Sequence, residues 1–291
     1  MKKVLFDTDI GNDIDDALAL AYLLKEPECE LLGITTVSGE PYKRAMLASV
    51  LCHRAGRDDI PIYVGMEGPF LGRQRQPKAY QAEKLCNWEH GEDFPQYGAV
   101  DFMRRTIREN PHEVTLIAVG PLTNVATLFK VDPEIPSLLE GLVLMCGDFA
   151  EGTQTTEWNA LCDWVATAVI YNSKVKLHRS FGLNVTNKVS FERADVDKKL
   201  TGLLMAPVRD FTYKWDEFKF PAIVFHDPLA AMAVFHPEIC EYKKGTVRID
   251  TERQGSLGYS TFENDSYGFH EIAVSVDRDK FFEIYLKTVN A

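Results

Sequence analysis

The sequence predicts an α/β protein with a doubly wound, mostly parallel sheet and an added antiparallel element near the C-terminus. Short apolar runs alternate with longer helical patterns from the N-terminus to "VKLHR" at 175–179. Such alternation is typical of parallel strands that are covered by helices on both faces. Three strand-like runs follow after residue 240, separated by Gly and polar turns. Their hairpin spacing favours antiparallel pairing.

The elements can be assigned in chain order, and together they predict a Rossmann-like architecture. The predicted strands of the parallel part are "KKVLF", "CELLGITTV", "IPIYVG", "EVTLIAV", "GLVLMCG" and "VKLHR". The helices between them are predicted over 15–25, 41–55, 99–109, 122–130 and 163–172, and "NWEHGED" is predicted as a loop. The later part is predicted as helices over about 191–218 and 227–235, strands at "GTVRID", "GYSTFE" and "EIAVSVD", and a helix over 280–289. No low-complexity linker divides these elements, so we expect residues 1–291 to form one domain.

The composition excludes several classes of function. The chain has 291 residues, 45% of them hydrophobic, and a formal net charge of −11. An acidic chain lacks the clustered Lys and Arg that a nucleic-acid partner requires. No segment resembles a signal peptide or reaches the ~18 apolar residues of a membrane span, and the six cysteines contain no C-x-x-C pair. We therefore expect a cytoplasmic protein that binds a small molecule, with neither nucleic acid nor membrane as partner.

The segment "VLFDTDIGNDIDDALAL" at 4–20 contains five aspartates within ten positions, namely Asp7, Asp9, Asp13, Asp15 and Asp16. Helix capping and the helix dipole explain two or three of them. Asp7 and Asp9 end a predicted buried strand and point to the same face, because strand residues alternate. Several carboxylates around one pocket require a cation or protons to offset their charge. Oxygen ligands at this density favour a hard cation, calcium or magnesium.

One alternative interpretation arises from the same segment. Phosphatases of the haloacid-dehalogenase type also begin with an apolar strand and Asp-x-Asp, where one aspartate is the nucleophile and magnesium clamps the phosphoryl group. The opening "VLFDTD" fits that pattern. The continuation "IGNDIDDALAL" does not, because three further aspartates are not expected there.

Four motifs in chain order resemble those of the nucleoside hydrolase family, the inosine-uridine-preferring nucleoside N-ribohydrolases. The first segment resembles the family motif D-x-D-P-G-x-D-D. "TLIAVGPLTNVA" at 115–126 is similar to its G-P-L-T-N segment, "EWNA" at 157–160 to E-F-N, and "FHDPLA" at 225–230 to H-D-P. The resemblance covers essentially the whole chain and implies hydrolysis of an N-riboside to ribose and free base.

The resemblance implies a calcium site at the carboxyl ends of the strands, where ligands bind in open parallel sheets. The carboxylates of Asp9, Asp16 and Asp227 and the main-chain carbonyl oxygen of Thr123 would hold the ion. Asp7 would be a supporting carboxylate that orients these ligands.

The resemblance also implies a substrate site for a small nucleoside. Asp15, Glu157 and Asn159 match residues that bind the ribose hydroxyls. Asp9 would be the general base that activates water, and His226 would be the acid for the departing base. A second histidine, His90, is a candidate contact of the base, and the aromatic candidates for stacking on it are Trp158, Trp88, Tyr80 and Phe269.

The sequence also departs from the family pattern. The first motif is two residues longer than usual and has Ile10 in place of proline, which leaves Asp13 as a possible substitute ligand. Glu40 and Asn184 stand where the family has asparagine and aspartate, and "EGTQTTEWN" is shorter than the usual segment. A protein that binds ribosides with its metal but does not cleave them therefore stays an alternative. From the family we expect a homodimer or homotetramer.

Overall fold

The chain folds around a central sheet whose strands are mostly parallel. The structure is a computed structural model that describes residues 1–153, 155–216 and 220–291. The strands of this sheet are β1 (Lys2–Thr8), β2 (Cys29–Thr36), β3 (Ile62–Val64), β4 (Val114–Ala118), β5 (Gly141–Met145), β6 (His178–Phe181), β9 (Cys240–Ile249), β10 (Ser260–Asn264) and β11 (His270–Val276). Their spatial order is β10-β9-β11-β6-β5-β4-β1-β2-β3. Two further strands, β7 (Ser190–Glu192) and β8 (Ala222–Val224), pair antiparallel in a small separate sheet.

Helices cover both faces of the central sheet. They are α1 (Asp15–Lys25), α2 (Pro41–Arg54), α3 (Ala99–Glu109), α4 (Thr123–Val131), α5 (Ile135–Leu138), α6 (Trp158–Cys162), α7 (Trp164–Tyr171), α8 (Leu183–Thr186), α9 (Val196–Lys199), α10 (Met205–Asp216), α11 (His226–Met232) and α12 (Arg278–Val289). Short 3₁₀ helices occur at Tyr80–Asn87, Arg193–Asp195 and Pro237–Ile239. A hydrophobic core lies on each face of the sheet, and successive side chains of β1 belong to different cores, Leu5 to one and Phe6 to the other. This is the alternation expected of a strand that is buried on both sides.

The predicted fold class is confirmed, with one refinement in the C-terminal part. β9 and β10 pair antiparallel, as expected from their hairpin spacing. β11 pairs antiparallel with β9 on one side but parallel with β6 on the other, so it joins the two parts of the sheet. Among the described residues, no helix is long and apolar enough to cross a membrane.

The predicted helix over 191–218 is wrong for most of its first half. The segment begins with β7, followed by a 3₁₀ turn and the short α9, and only α10 is a longer helix. Positions 217–218 of that prediction lie outside the described residues. The helical pattern is overridden because Ser190–Glu192 pairs with β8, a strand that is distant in sequence. The chain then turns at Gly202, where an added Cβ would lie 2.3 Å from the carbonyl oxygen of Val289.

A pair of buried histidines lies within the sheet at the amino ends of β6 and β11, away from the carboxyl ends of the strands. The rings of His178 on β6 and His270 on β11 are 4.7 Å apart between centroids. His178 places Nε2 3.3 Å from the carbonyl oxygen of Ile170, and its Nδ1 has no hydrogen-bond partner in the described structure. Burial, followed by the neighbouring His270, lowers the pKa of His178 to about 3. The ring is therefore neutral in the folded protein at ordinary pH.

We expect this histidine to make the stability depend on pH. In the unfolded chain its pKa is about 6.5, so the stability contributed by the neutral ring is fully present above that pH and is lost as the pH falls toward 3. Between pH 8 and pH 5 the wild type should lose about 2 kcal/mol more unfolding free energy than His178→Met. Urea unfolding of both proteins at the two pH values measures this difference. Equal losses would contradict the assignment.

Candidate active site

A cleft of about 540 Å³ opens at the carboxyl edge of the parallel strands. This volume is typical of sites for small molecules. Eight residues singled out from the sequence line it: Asp9, Asp13, Asp15, Asp16, Glu157, Asn159, His226 and Asp227. The loop after β1, the first turns of α1 and α11, and the start of α6 supply them. The fold thus gathers residues from three distant parts of the chain into one acidic cleft.

Three buried aspartates form a close cluster in this cleft. Carboxylate oxygens of Asp15, Asp16 and Asp227 all lie within 4.8 Å of one another. The cluster forms because α1 packs on α11, and these aspartates occupy the first turns of the two helices. The main-chain N–H of Asp227 donates to Oδ2 of Asp15 at 3.4 Å. The Thr8 hydroxyl and the main-chain N–H of Asp9 (3.1 Å) both donate to Oδ1 of Asp16, which fixes its direction.

If all its carboxylates were ionised, the cluster would carry more negative charge than a buried site can hold without a cation. Burial and then repulsion from neighbouring carboxylates raise the pKa of Asp15, Asp16 and Asp227 well above the usual range. Burial also raises the pKa of Asp13 to about 6. Such groups retain protons unless a cation offsets their charge. Oxygen donors at this spacing fit a hard divalent cation.

Asp9 lies beside this cluster and is held from two sides. Its Oδ2 accepts a hydrogen bond from the side-chain amide of Gln76. The guanidinium of Arg44, which is fully buried, donates to the main-chain oxygen of Asp9 and, at 3.1 Å, to that of Ile10. Burial raises the pKa of Asp9, while Arg44 and Gln76 act in the opposite direction.

Sequence analysis missed both Gln76 and Arg44. A signal for Arg44 was available, because it lies on the face of α2 that also carries Leu47, Ala48 and Leu51, all fully buried. A charge at such a position on a helix must be paired inside the protein. Gln76 has no comparable signal, since it lies in a segment without helix or strand.

Glu157 and Asn159 line the cleft and also hold the local backbone. The Glu157 carboxylate accepts main-chain N–H groups of Asn159 (2.6 Å), Ala160 (3.0 Å) and Gly147 (3.2 Å), so it caps α6. Burial raises its pKa to about 7. The Asn159 amide donates to the carbonyl oxygens of Val119 at 2.6 Å and Met145 at 3.1 Å. These bonds fix the positions of both side chains in the lining of the cleft.

His226 lines the cleft at the start of α11. Its Nδ1 lies 2.7 Å from the hydroxyl oxygen of Thr186. Burial lowers the pKa of His226 to about 4, so the imidazole is neutral at ordinary pH. Trp158 and Tyr80 also line the cleft, whereas the other two aromatic candidates, Trp88 and Phe269, do not belong to its lining.

Three other predicted residues lie outside the group that lines the cleft. Thr123 begins α4, and its main-chain oxygen accepts the hydroxyl of Thr127 at 2.7 Å. His90 places Nδ1 2.7 Å from the carbonyl oxygen of Trp88. Asp7 is buried behind the cleft, where Asn124 donates to its Oδ1 at 2.8 Å.

Glu40 and Asn184, which depart from the family pattern, also lie outside the lining of the cleft. Glu40 pairs with Lys43 at 2.7 Å and accepts the main-chain N–H of Ala79 at 3.0 Å. Asn184 donates to the carbonyl oxygen of Ala273 at 2.9 Å. Both side chains therefore bind main-chain groups outside the lining of the cleft.

Fold and site together define a parallel α/β protein with a buried carboxylate cluster that can hold a metal ion. Comparison with known proteins identifies its relatives. The family model described as inosine-uridine preferring nucleoside hydrolase matches residues 4–283. The chain belongs to this family, and its reaction is the hydrolysis of the N-glycosidic bond of a ribonucleoside to ribose and free base. This match decides against the phosphatase interpretation.

Individual relatives cover almost the whole chain at modest identity. The probable uridine nucleosidase 2 of Oryza sativa subsp. japonica is 28% identical, over 86% of this chain and 79% of the relative. The pyrimidine-specific ribonucleoside hydrolase RihA of Citrobacter koseri is 28% identical, over 97% and 96%. Among solved structures, the plant nucleoside hydrolase PpNRh1 has a TM-score of 0.81 and 26% identity, over 100% of this chain and 99% of that chain. The purine-preferring ribonucleoside hydrolase of Gardnerella vaginalis has a TM-score of 0.84 at 22% identity, over 99% and 98%, and supports the fold alone.

Proposed function

We propose that this chain cleaves ribonucleosides with a calcium ion in the acidic cleft. The observation that carries the proposal is the cluster of Asp15, Asp16 and Asp227, with Asp9 beside it in a cleft of nucleoside size. In this proposal Asp9, Asp16 and Asp227 hold the ion by their carboxylates. The main-chain oxygen of Thr123, which the family resemblance implied as a fourth ligand, is not part of the proposal, because Thr123 does not line the cleft and this oxygen accepts the Thr127 hydroxyl. Bound calcium would supply a positive charge that orients the attacking water and the ribose hydroxyls.

The protein's own groups carry the other parts of the reaction. Asp15, Glu157 and Asn159 bind the ribose hydroxyls, and Asp9 accepts the proton of the attacking water. As the bond to the base breaks, positive charge develops on the ribose, and the surrounding carboxylates stabilise it.

His226 acts on the departing base. If the Thr186 hydroxyl donates to Nδ1, the ring proton of the neutral imidazole resides on Nε2. From there it can be donated to the nitrogen of the base as negative charge develops on it. Trp158, Tyr80 and Phe220 are aromatic side chains that line the cleft, and the base can stack on one of them.

Uridine is the first substrate to test, because the relatives in rice and Citrobacter koseri are named for uridine and pyrimidine ribonucleosides. The protein is incubated with uridine, inosine and a phosphomonoester, and free ribose and phosphate are measured. We expect ribose release that EGTA abolishes and that added calcium restores. Restoration by magnesium alone would contradict calcium as the ion. Nucleoside binding without ribose release would favour the non-catalytic binding protein.

The proposal extends to the organisation of the protein. We propose one domain over 1–291, a homodimer or homotetramer, and a cytoplasmic location. The support for the location is that all six cysteines are free, as in a reducing compartment. Light scattering of the purified protein measures its mass against the 32.9 kDa of one chain.

A further inference from the structure

We propose that Gln76 is a positioning residue for Asp9 and that Trp158 fixes the direction of the Gln76 side-chain amide. The inference rests on the proposed function, in which Asp9 is a ligand and the general base. Gln76 lies outside every motif that identified the site, yet it is buried in the cleft, with 7% of its surface exposed.

Three side chains form a continuous chain of hydrogen bonds. The indole N–H of Trp158 donates to Oε1 of Gln76 at 2.8 Å, and Nε2 of Gln76 donates to Oδ2 of Asp9. The amide of Asn12 also points its Nδ2 to the same Oε1, at 3.4 Å. An indole nitrogen can only donate, so it selects the amide orientation in which oxygen faces Trp158. The Gln76 nitrogen then necessarily faces the Asp9 carboxylate.

The segment that follows Gln76 is docked on the longer first motif. The main-chain N–H of Gln81 donates to the Gly11 oxygen at 2.9 Å, and the Gln81 amide donates to the main-chain oxygens of Asn12 and Asp13 at 3.1 and 2.7 Å. Because all three acceptors are main-chain oxygens, these bonds hold the segment in place without using a carboxylate of the cleft.

A second contact holds the other end of the same segment. Gly39 packs against it so closely that an added Cβ would lie 2.5 Å from Cα of Pro77. The carboxylate of Glu40 accepts the main-chain N–H of Ala79 at 3.0 Å. Gln76 is therefore presented to Asp9 by a backbone that is fixed on both sides.

The chemistry of the amide suits the task. Asp9 must remain basic to accept a proton, and a cationic partner on its carboxylate would lower its pKa and so its basicity. A neutral amide donor orients the carboxylate with a weaker hydrogen bond than a cation would make. On the opposite side, Oδ1 of Asp9 lies against Gly120, where an added Cβ would be 2.8 Å away. The carboxylate is thus held between the Gln76 amide and the Gly120 backbone.

The test compares Gln76→Met, Gln76→Glu and Trp158→Phe by kcat and KM for uridine at saturating calcium. Gln76→Met keeps the size and removes the donor, and we expect kcat to fall about 10²-fold with KM within about threefold, since misplacing a reacting group costs rate more than binding. Gln76→Glu should lower kcat at least as far, because a carboxylate oxygen then faces the Asp9 carboxylate in place of the N–H donor. Trp158→Phe keeps an aromatic ring and should lower kcat about fivefold. In the Gln76→Met background Trp158→Phe should have no further effect on kcat.

Gln74→Met is the matched control. Gln74 accepts the main-chain N–H of Gln76 at 2.9 Å, and in the described part of the chain it makes no hydrogen bond to Asp9. Its replacement therefore loosens the segment and leaves the donor to Asp9 present. An equal loss of kcat in Gln74→Met and Gln76→Met would overturn the inference in favour of a merely structural role. Additive effects of the Trp158 and Gln76 changes would overturn the part assigned to Trp158. Thermal unfolding checks that each variant folds, and Gln76→Glu serves if Gln76→Met does not.

Asp9→Asn separates this inference from the proposed function. Ribose release that Asp9→Asn abolishes and Gln76→Met leaves unchanged would overturn the role of Gln76 alone. Ribose release that survives Asp9→Asn would overturn the proposed role of Asp9, and with it the basis for positioning.

Discussion

Replacing Asp9 by Asn is expected to lower kcat for ribose release about 10³-fold, the usual contribution of a general base. The amide keeps the size of the side chain but cannot accept the proton of water. The new amide can present either its oxygen or its nitrogen to the Gln76 donor. Only the oxygen preserves the hydrogen bond that Oδ2 of Asp9 accepts. Initial rates with uridine at saturating calcium measure the loss.

Asp13→Asn is the comparison for this variant. Asp13 lines the same cleft two residues before α1, and its Oδ1 accepts the main-chain N–H of Ile14 at 2.6 Å. We expect it to lower kcat less than about tenfold, because local hydrogen bonds of this kind contribute modestly. A larger loss in Asp13→Asn than in Asp9→Asn would transfer the role of base to the insertion and would refute the assignment of Asp9.

Replacing Asp227 by Asn is expected to weaken calcium binding about 10²-fold, because affinity at oxygen sites depends on the number of charged ligands. The carboxylate of Asp227 is buried against Asp15 and Asp16, and its removal takes one of three charges from the cluster. Calcium titration by calorimetry measures the affinity directly, and the calcium dependence of ribose release should shift by the same factor.

Asp132→Asn is the matched control for Asp227→Asn. Asp132 is also buried, but it follows the C-terminal end of α4 and pairs with Arg108 at 2.6 Å. Its replacement should lower stability and leave calcium affinity unchanged. Unchanged calcium affinity in Asp227→Asn would place the ion elsewhere in the cleft.

The parallel part of the fold and most of the cleft could be predicted from the sequence for the same reason. Strands buried on both faces give continuous apolar runs, and the polar residues directly after them must meet at one edge of the sheet. Asp9 follows this rule directly after β1. Glu157 caps α6 and Asp227 lies in the first turn of α11 after β8 of the small sheet, and all three line one cleft. The small sheet of β7 and β8 could not be predicted, because three-residue strands leave too short a pattern.

The sequence indicates that Arg44 is buried, but it does not identify the partners in the supporting contacts of the site. Arg44 meets the Asp9 main chain across 35 residues, and Gln76 meets its carboxylate across 67. Neither contact follows from strand or helix periodicity, because Gln76 lies in irregular structure and Arg44 binds main-chain oxygens that every residue possesses. His90 belongs to a recognisable motif, yet the path of its loop, which places the ring against the Trp88 carbonyl oxygen, depends on packing around the whole segment.

The fully buried Arg44 also restricts how this sequence can change. Main-chain oxygens of Gly39, Asp9 and Ile10 accept its hydrogen bonds, so its buried charge depends on the path of the first motif. A change of loop length that moved the oxygens of Asp9 and Ile10 would leave a buried cation without these acceptors, at a cost of several kcal/mol. We therefore expect a chimera that carries the common eight-residue motif to be more stable when a neutral residue replaces Arg44.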